Sequence, residues 1–218
     1  MPFGIGRKKP DQPAAASAAE PVAASDARGP RPVPFRGFTE DWLLDGLMTI
    51  RGRLLDTLNR REELAVSEVR WAPADGSGPL EPAPGIQSMD PYDLIVAIAT
   101  RETVDAMSDE EREAHRIHKI PYDVALEAPP YRIVGTIRLH PGSEPESLLQ
   151  QASQMFAAVT DPQVAFNGVV LDLGPDVEAV LVNRFYLRGV SQVDKATGVP
   201  HQRLPGQSLG GTNWRERS

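Results

Sequence analysis

The chain has 218 residues, no cysteine, 40% apolar residues and a net charge of -7. That leaves room for one large or two small domains and excludes disulfides and thiolate metal sites. No apolar run approaches the roughly 20 residues needed to span a bilayer, and the basic start at Arg7, Lys8 and Lys9 runs into an Ala/Pro/Ser stretch, not a signal-peptide core.

Charge is unevenly placed. Residues 37–194 hold thirteen Arg and Lys against twenty-six Asp and Glu, whereas residues 1–36 and 195–218 are both net basic. An acidic body is poorly suited to neutralising phosphates, so nucleic acid binding is not expected through the core and any such binding falls to the ends. A cytoplasmic protein is the expectation.

In chain order, residues 1–36 are rich in Pro, Ala and Ser with few large apolar side chains, too few to offset ordering entropy, and read as a disordered tail. Residues 37–107 form a first β-rich module. Its opening, Trp42, Leu44, Gly46, Met48 and Ile50, alternates with the period of a strand. Leu54, Leu55 and Leu58 make one apolar stripe on a short helix over residues 53–61, and Leu64, Val66, Val69 and Trp71 support a second strand. Residues 73–92 carry five prolines and three glycines, which predicts a long surface loop. Residues 93–100 are apolar on both faces, as in a central strand.

Residues 108–130 read as a connecting helix and linker. Ser108-Asp109-Glu110-Glu111 is a capping box and Pro121 a stop. Residues 131–194 form a second β-rich module with much the same wording: Tyr131, Ile133, Gly135, Ile137 and Leu139 follow the spacing of the Trp42 strand. Ala158-Val159-Thr160-Asp161 likewise answers Ala65-Val66-Ser67-Glu68. Residues 144–154 predict its short helix, and Asn167-Gly168 is a type I′ hairpin signal. Phe185 and Leu187 are expected to face inward on a last extended segment over 184–193. Residues 195–218 read as a disordered basic tail with a lone Trp214.

The fold class that follows is α+β, mainly β: two tandem β-rich modules, each strand, short helix or turn, then strands. Neither can bury both faces alone, so they pack as a pseudo-twofold pair or continue one sheet, with a connecting helix and disordered tails.

Candidate chemistry is sparse. His115 and His118 have helical i, i+3 spacing, but a metal needs three or more converging ligands and no HExxH flank is present. A solvated or interface role is favoured, with a metal-dependent enzyme as the remote alternative. Asp90, Asp93, Asp123 and Glu127 near Pro91-Tyr92 and Pro121-Tyr122 read as turn and solubility residues, not a tuned acid/base pair. Ser67 and Thr160 lack the elbow and paired base of a nucleophile. Asn183-Arg184-Phe185-Tyr186-Leu187 places two aromatics beside an arginine; Phe185, Tyr186 and Trp214 are the partner-binding candidates. Arg53, Asp56 and Asn59 form a candidate structural polar cluster, with Arg53 and Asp56 one helical turn apart.

Arg53-Leu54-Leu55-Asp56-Thr57-Leu58-Asn59, an arginine-led turn after a strand and before two more, resembles an uncharacterised bacterial family of small duplicated β-rich domains. The likeness covers roughly residues 38–194, although the second module has Ser143-Glu144-Pro145-Glu146-Ser147-Leu148-Leu149 where the first has the Arg, Asp and Asn. The resemblance implies a fold type and no catalytic or cofactor-binding residues. The expectation is a non-catalytic scaffold or regulatory module that binds a protein partner without cofactors. An Sm-like RNA-binding module is the alternative from another class.

Overall fold

The computed structural model describes residues 29–104, 119–150, 154–194, 197 and 199. The capping-box helix, His115, His118, Trp214 and most of both predicted tails lie outside the described residues.

The described chain is mainly β. Its first part runs β1 (Arg31–Phe38), β2 (Trp42–Ile50), α1 (Leu54–Asn59), β3 (Leu64–Pro73), β4 (Glu81–Pro82), β5 (Ser88–Met89), a 3-10 turn (Pro91–Asp93), β6 (Val96–Thr100) and α2 (Arg101–Val104). Its second part runs β7 (Ile120–Ala128), β8 (Tyr131–Leu139), a 3-10 turn (Pro145–Leu149), β9 (Phe156–Phe166), β10 (Val169–Val170), β11 (Val177–Asn183), a 3-10 turn (Arg184–Tyr186) and β12 (Gly189–Gln192). The main path is β12-β7-β8-β9-β11-β6-β1-β2-β3-β4, with β10 on β9 and β5 on β3. Every described pairing is antiparallel. Among the described residues no helix is long and apolar enough to cross a membrane.

Two strands depart from the sequence expectation. Residues 31–36, assigned to the tail, make most of β1, which pairs with β2 along its whole length. Pro32 and Pro34 are tolerated because proline costs a ladder bond only where an N–H is needed. Ile95 N–H donates to Phe38 O, so the even-numbered backbone groups of β1 face β6. That strand pairs with β1 only at Gly37 and Phe38. Residues 120–128, assigned to a linker, form β7 between β12 and β8. Tyr122, Val124, Leu126 and Ala128 alternate into the core, while Pro121 lies beyond the stretch that β12 covers.

Smaller differences have local causes. The proline-rich excursion runs back along β3, pairing at Arg70 and Trp71 and again at Leu64 and Ala65, so it covers that strand's outer edge and is not a free loop. The strand expected from residue 93 starts at Val96, because Asp90 caps a 3-10 turn first. The helix expected at residues 144–154 is a 3-10 turn begun by Pro145, with residues 151–153 outside the described set. The Asn167-Gly168 hairpin has positive φ at both residues, 47° and 85°, as its turn type requires.

The core lies on both faces of the sheet. Val96 and Ile98 of β6, with Val180 and Val182 of β11, belong to one apolar cluster that includes Tyr122, Leu126, Ile133 and Val159. Ala97 and Ala99, with Ala179 and Leu181, point the other way, into a cluster built on Phe35, Met48, Ile50, Leu54 and Leu58. Met155 and Phe156 reach into that second cluster from the later half of the chain. Each fully buried large side chain contributes roughly 1.5–3 kcal/mol. Tyr131 is buried as well, and its hydroxyl donates to Thr39 O at 2.7 Å. Burial, and then the charge of Asp41, raises its pKa well above the ordinary phenol range.

Besides a register shift between Val177 and Ala179 of β11, two alike shifts fall between Asp45 and Leu47 of β2 and between Val134 and Thr136 of β8. The facing strands carry Glu68 at φ 53° and Asp161 at φ 48°. A Cβ on Gly46 would lie 2.8 Å from Ser67 O, and one on Gly135 2.8 Å from Thr160 O, so glycine is demanded by close backbone approach. Gly135→Ala is expected to cost about 1–3 kcal/mol in urea denaturation, whereas Gly85→Ala, with nothing within 4 Å, stays within about 0.5 kcal/mol.

Candidate functional site

The site grows from two turns of the same design. Asp90 ends the approach to the first, and its Oδ1 accepts from Tyr92 N–H at 2.9 Å. Asn183 ends β11, and its Oδ1 accepts from Phe185 N–H at 3.1 Å. Such side-chain-to-backbone bonds two residues on are how Asp and Asn stop a strand and start a turn. Asn183 is fully buried and also locks the turns together: Nδ2 donates to Leu94 O at 2.8 Å and its backbone N–H donates to Ile95 O at 2.9 Å.

Because the turns are tied at their bases, their tips meet. The rings of Tyr92 and Phe185 lie 5.5 Å apart at an interplanar angle of 31°, and both are exposed, at 42% and 44%. The Arg61 guanidinium lies 5.7 Å from the Phe185 ring centroid, within cation–π range. Tyr186 O–H donates to Tyr92 O at 3.0 Å. Burial, followed by the charges of Asp93 and Glu40, raises the Tyr186 pKa. A second exposed aromatic pair, Trp42 and Trp71, stacks across β2 and β3 at 5.0 Å. The structure therefore brings Phe185 and Tyr186 together and corrects the inward placement of Phe185: Leu187 is buried, but the Asn183 cap turns Phe185 out. Sequence reasoning missed Tyr92 and Arg61 as their neighbours. The available signal was an Asx residue two positions before an aromatic in both Asp90-Pro91-Tyr92 and Asn183-Arg184-Phe185.

The proposed polar cluster is split. Arg53 and Asp56 form a two-pronged pair, Nε to Oδ2 at 2.7 Å and Nη2 to Oδ1 at 3.0 Å. Asn59 leaves them and reaches β9, its Oδ1 accepting from Phe156 N–H at 2.7 Å while Nδ2 faces Phe156 O at 3.4 Å. It behaves as a strand residue would, satisfying the first backbone groups of β9 from the end of α1.

Three of the four acidic residues weighed for acid/base chemistry, Asp90, Asp123 and Glu127, have structural partners. Asp123 accepts from the Thr136 hydroxyl at 2.6 Å and Glu127 pairs with Arg132 at 2.9 Å. Asp90 serves as a cap. Tyr122 is buried in the core while Tyr92 is at the surface. Thr160 donates to Thr136 O within the sheet. Among the described residues no group of three His, Asp or Glu is placed to hold a metal ion. No protein-family model, curated protein or solved structure matches the chain.

The two polar contacts of α1 differ in their partners, a carboxylate at the surface and the amide of fully buried Phe156, and are expected to differ in energy. Asn59→Ala strands the Phe156 amide and is expected to cost about 1–3 kcal/mol. Asp56→Ala breaks a pair that is about one-third exposed and is expected to cost about 0.2–1 kcal/mol. Denaturant midpoints of the two variants at equal m-value check the order.

Proposed function

We propose that this protein is a non-catalytic cytoplasmic scaffold or regulatory module that binds a protein partner through the Tyr92–Phe185–Tyr186 surface. The observation that carries this reading is the exposed aromatic contact under Arg61. Tyr, Phe and Arg are enriched at protein interfaces, and Tyr and Arg anchor hot spots. Here a buried asparagine ties the backbones of the two aromatic turns together, which lowers the backbone entropy left to lose on binding.

The reading includes a relation between the two halves as copies of one unit about an approximate twofold. Its support is the pairing pattern. In one half β1 lies between β2 and β6, in the other β7 lies between β8 and β12. Leu64↔Met89 and Ala65↔Ser88 on β3 and β5 correspond to Ala157↔Val182 and Ala158↔Leu181 on β9 and β11. On that scheme Tyr92 and Phe185 are equivalent positions that touch each other, which makes the aromatic surface a product of joining the two copies.

A second reading, an Sm-like RNA-binding module, draws on the same exposed rings, since bases stack on aromatic and arginine planes. Affinity capture from cytoplasm with and without nuclease separates the two. The expected result is a stoichiometric protein that survives nuclease, is recovered in reciprocal capture, and is lost with the Tyr92→Ala/Phe185→Ala variant. Each substitution is expected to weaken binding about thirtyfold or more at a hot spot while changing stability by no more than about 1 kcal/mol. A partner retained by the double variant removes the proposed surface. Loss of all bound material on nuclease treatment moves the RNA reading to first place.

A further inference from the structure

A groove of about 400 Å³, none of whose lining residues is Tyr92, Phe185 or Tyr186, lies between β8, β9, the 3-10 turn Pro145–Leu149 and the start of the turn after β11. Lys119, Arg138, His140 and Arg184 all line it, and among the described residues no Asp or Glu does. That is unusual in a body where residues 37–194 carry twice as many acidic as basic side chains. Leu55, Leu139, Leu148 and Phe156 supply an apolar wall, and Ser143 and Ser147 add hydroxyls. A mostly apolar concavity with a few converging polar groups is the usual form of a small-molecule site.

Arg184 is the organising cation. Its Nε donates to Leu148 O at 3.0 Å, and Nη2 donates to Ser147 O at 2.9 Å and Gln150 O at 3.0 Å. The backbone N–H of Arg184 is fixed in turn by Met155 O at 2.8 Å. Three carbonyls hold the guanidinium in place without neutralising it, and Arg184 has no ion pair with a described carboxylate. Partial burial lowers its pKa, the sign of a cation whose desolvation is uncompensated. An anion in the groove would supply the missing counter-charge at little reorganisation cost, because the arginine is already oriented.

We propose that this groove binds a small organic anion, with its phosphate or carboxylate against Arg184, Arg138, Lys119 and His140 and its apolar part against Leu55, Leu139 and Phe156. The enclosed size favours a small molecule. A nucleic acid strand would need phosphate contacts spread over a surface that is otherwise acidic.

The test is titration of the full chain with phenyl phosphate, benzoate and phenol at constant pH and ionic strength, followed by amide chemical shifts. The expected result is saturable binding of phenyl phosphate or benzoate, with the affected amides around Arg138, His140 and Ser147. The better of the two identifies the anionic group. Arg138→Gln is expected to weaken binding about tenfold and Arg138→Glu to abolish it, while Arg70→Gln, outside the groove, leaves it unchanged. Arg184→Gln is not the primary variant, because it also unties the Pro145–Leu149 turn. Equal binding of phenol would overturn the proposal, as would unaltered affinity in Arg138→Glu or the absence of any saturable anion effect. These outcomes are independent of the aromatic surface, whose variants leave the groove residues in place.

Discussion

The rest of the molecule depends on the pairing of β6 with β11. The two strands run antiparallel from Thr100 and Val177 to Val96 and Val182, and almost every side chain between those ends is buried. A strand buried on both faces must be apolar at every position, and it must have a core on each side. That condition sends the early strands to one face and the late strands to the other. It also explains why Met155 and Phe156 lie in the same cluster as Phe35 and Met48. The two parts of the chain are therefore joined through continuous hydrogen bonding and shared apolar clusters, a stiffer connection than a linker between independent domains.

The polar contacts at this junction are few and specific. The Asn183 side chain satisfies Leu94, Asn59 satisfies Phe156, and Tyr131 satisfies Thr39. Each is a side chain reaching a backbone group in a distant part of the chain, where an unmet donor or acceptor would carry the full desolvation penalty. Because Asn183 both closes a turn and crosses the junction, the aromatic tips inherit the geometry of the core. Tyr92 and Phe185 are solvent-exposed residues on a rigid base, which is the arrangement a recognition surface needs.

The groove around Arg184 has a different origin. It forms where the later part of the chain has a 3-10 turn begun by Pro145, whose Ser147 and Leu148 carbonyls also accept from the Arg184 guanidinium. The charge of Arg184 is in this way placed in one groove with Arg138 of β8 and with His140, the residue after that strand, and no described Asp or Glu lines it. The hydrogen bonds that hold the turn and the cationic concavity are one feature.

Much of the architecture was legible in the sequence. Period-two alternation located β2 and β8, the apolar stripe Leu54 to Leu58 located α1, and Asn167-Gly168 located the tight hairpin, because these signals act over a few residues. The matching glycines Gly46 and Gly135 were visible too, although only the structure shows that bulged carbonyls opposite exclude a Cβ there. Proline hid β1 and β7: a proline penalises a strand only on the side where a partner needs its N–H, and that side is decided by which strand lies next to it. The exposure of Phe185 was hidden for the same kind of reason, since a cap at Asn183 redirects a side chain that alternation alone would bury. The sequence by itself determined which segments extend, where they turn and which faces are apolar, because propensity and periodicity are local. Only the tertiary structure decided which strands are neighbours, that Asn59 leaves Arg53 and Asp56 to serve β9, that Tyr92 meets Phe185, and that Arg184 and Arg138 line one groove, because those arrangements join residues far apart in the chain through the two-faced core.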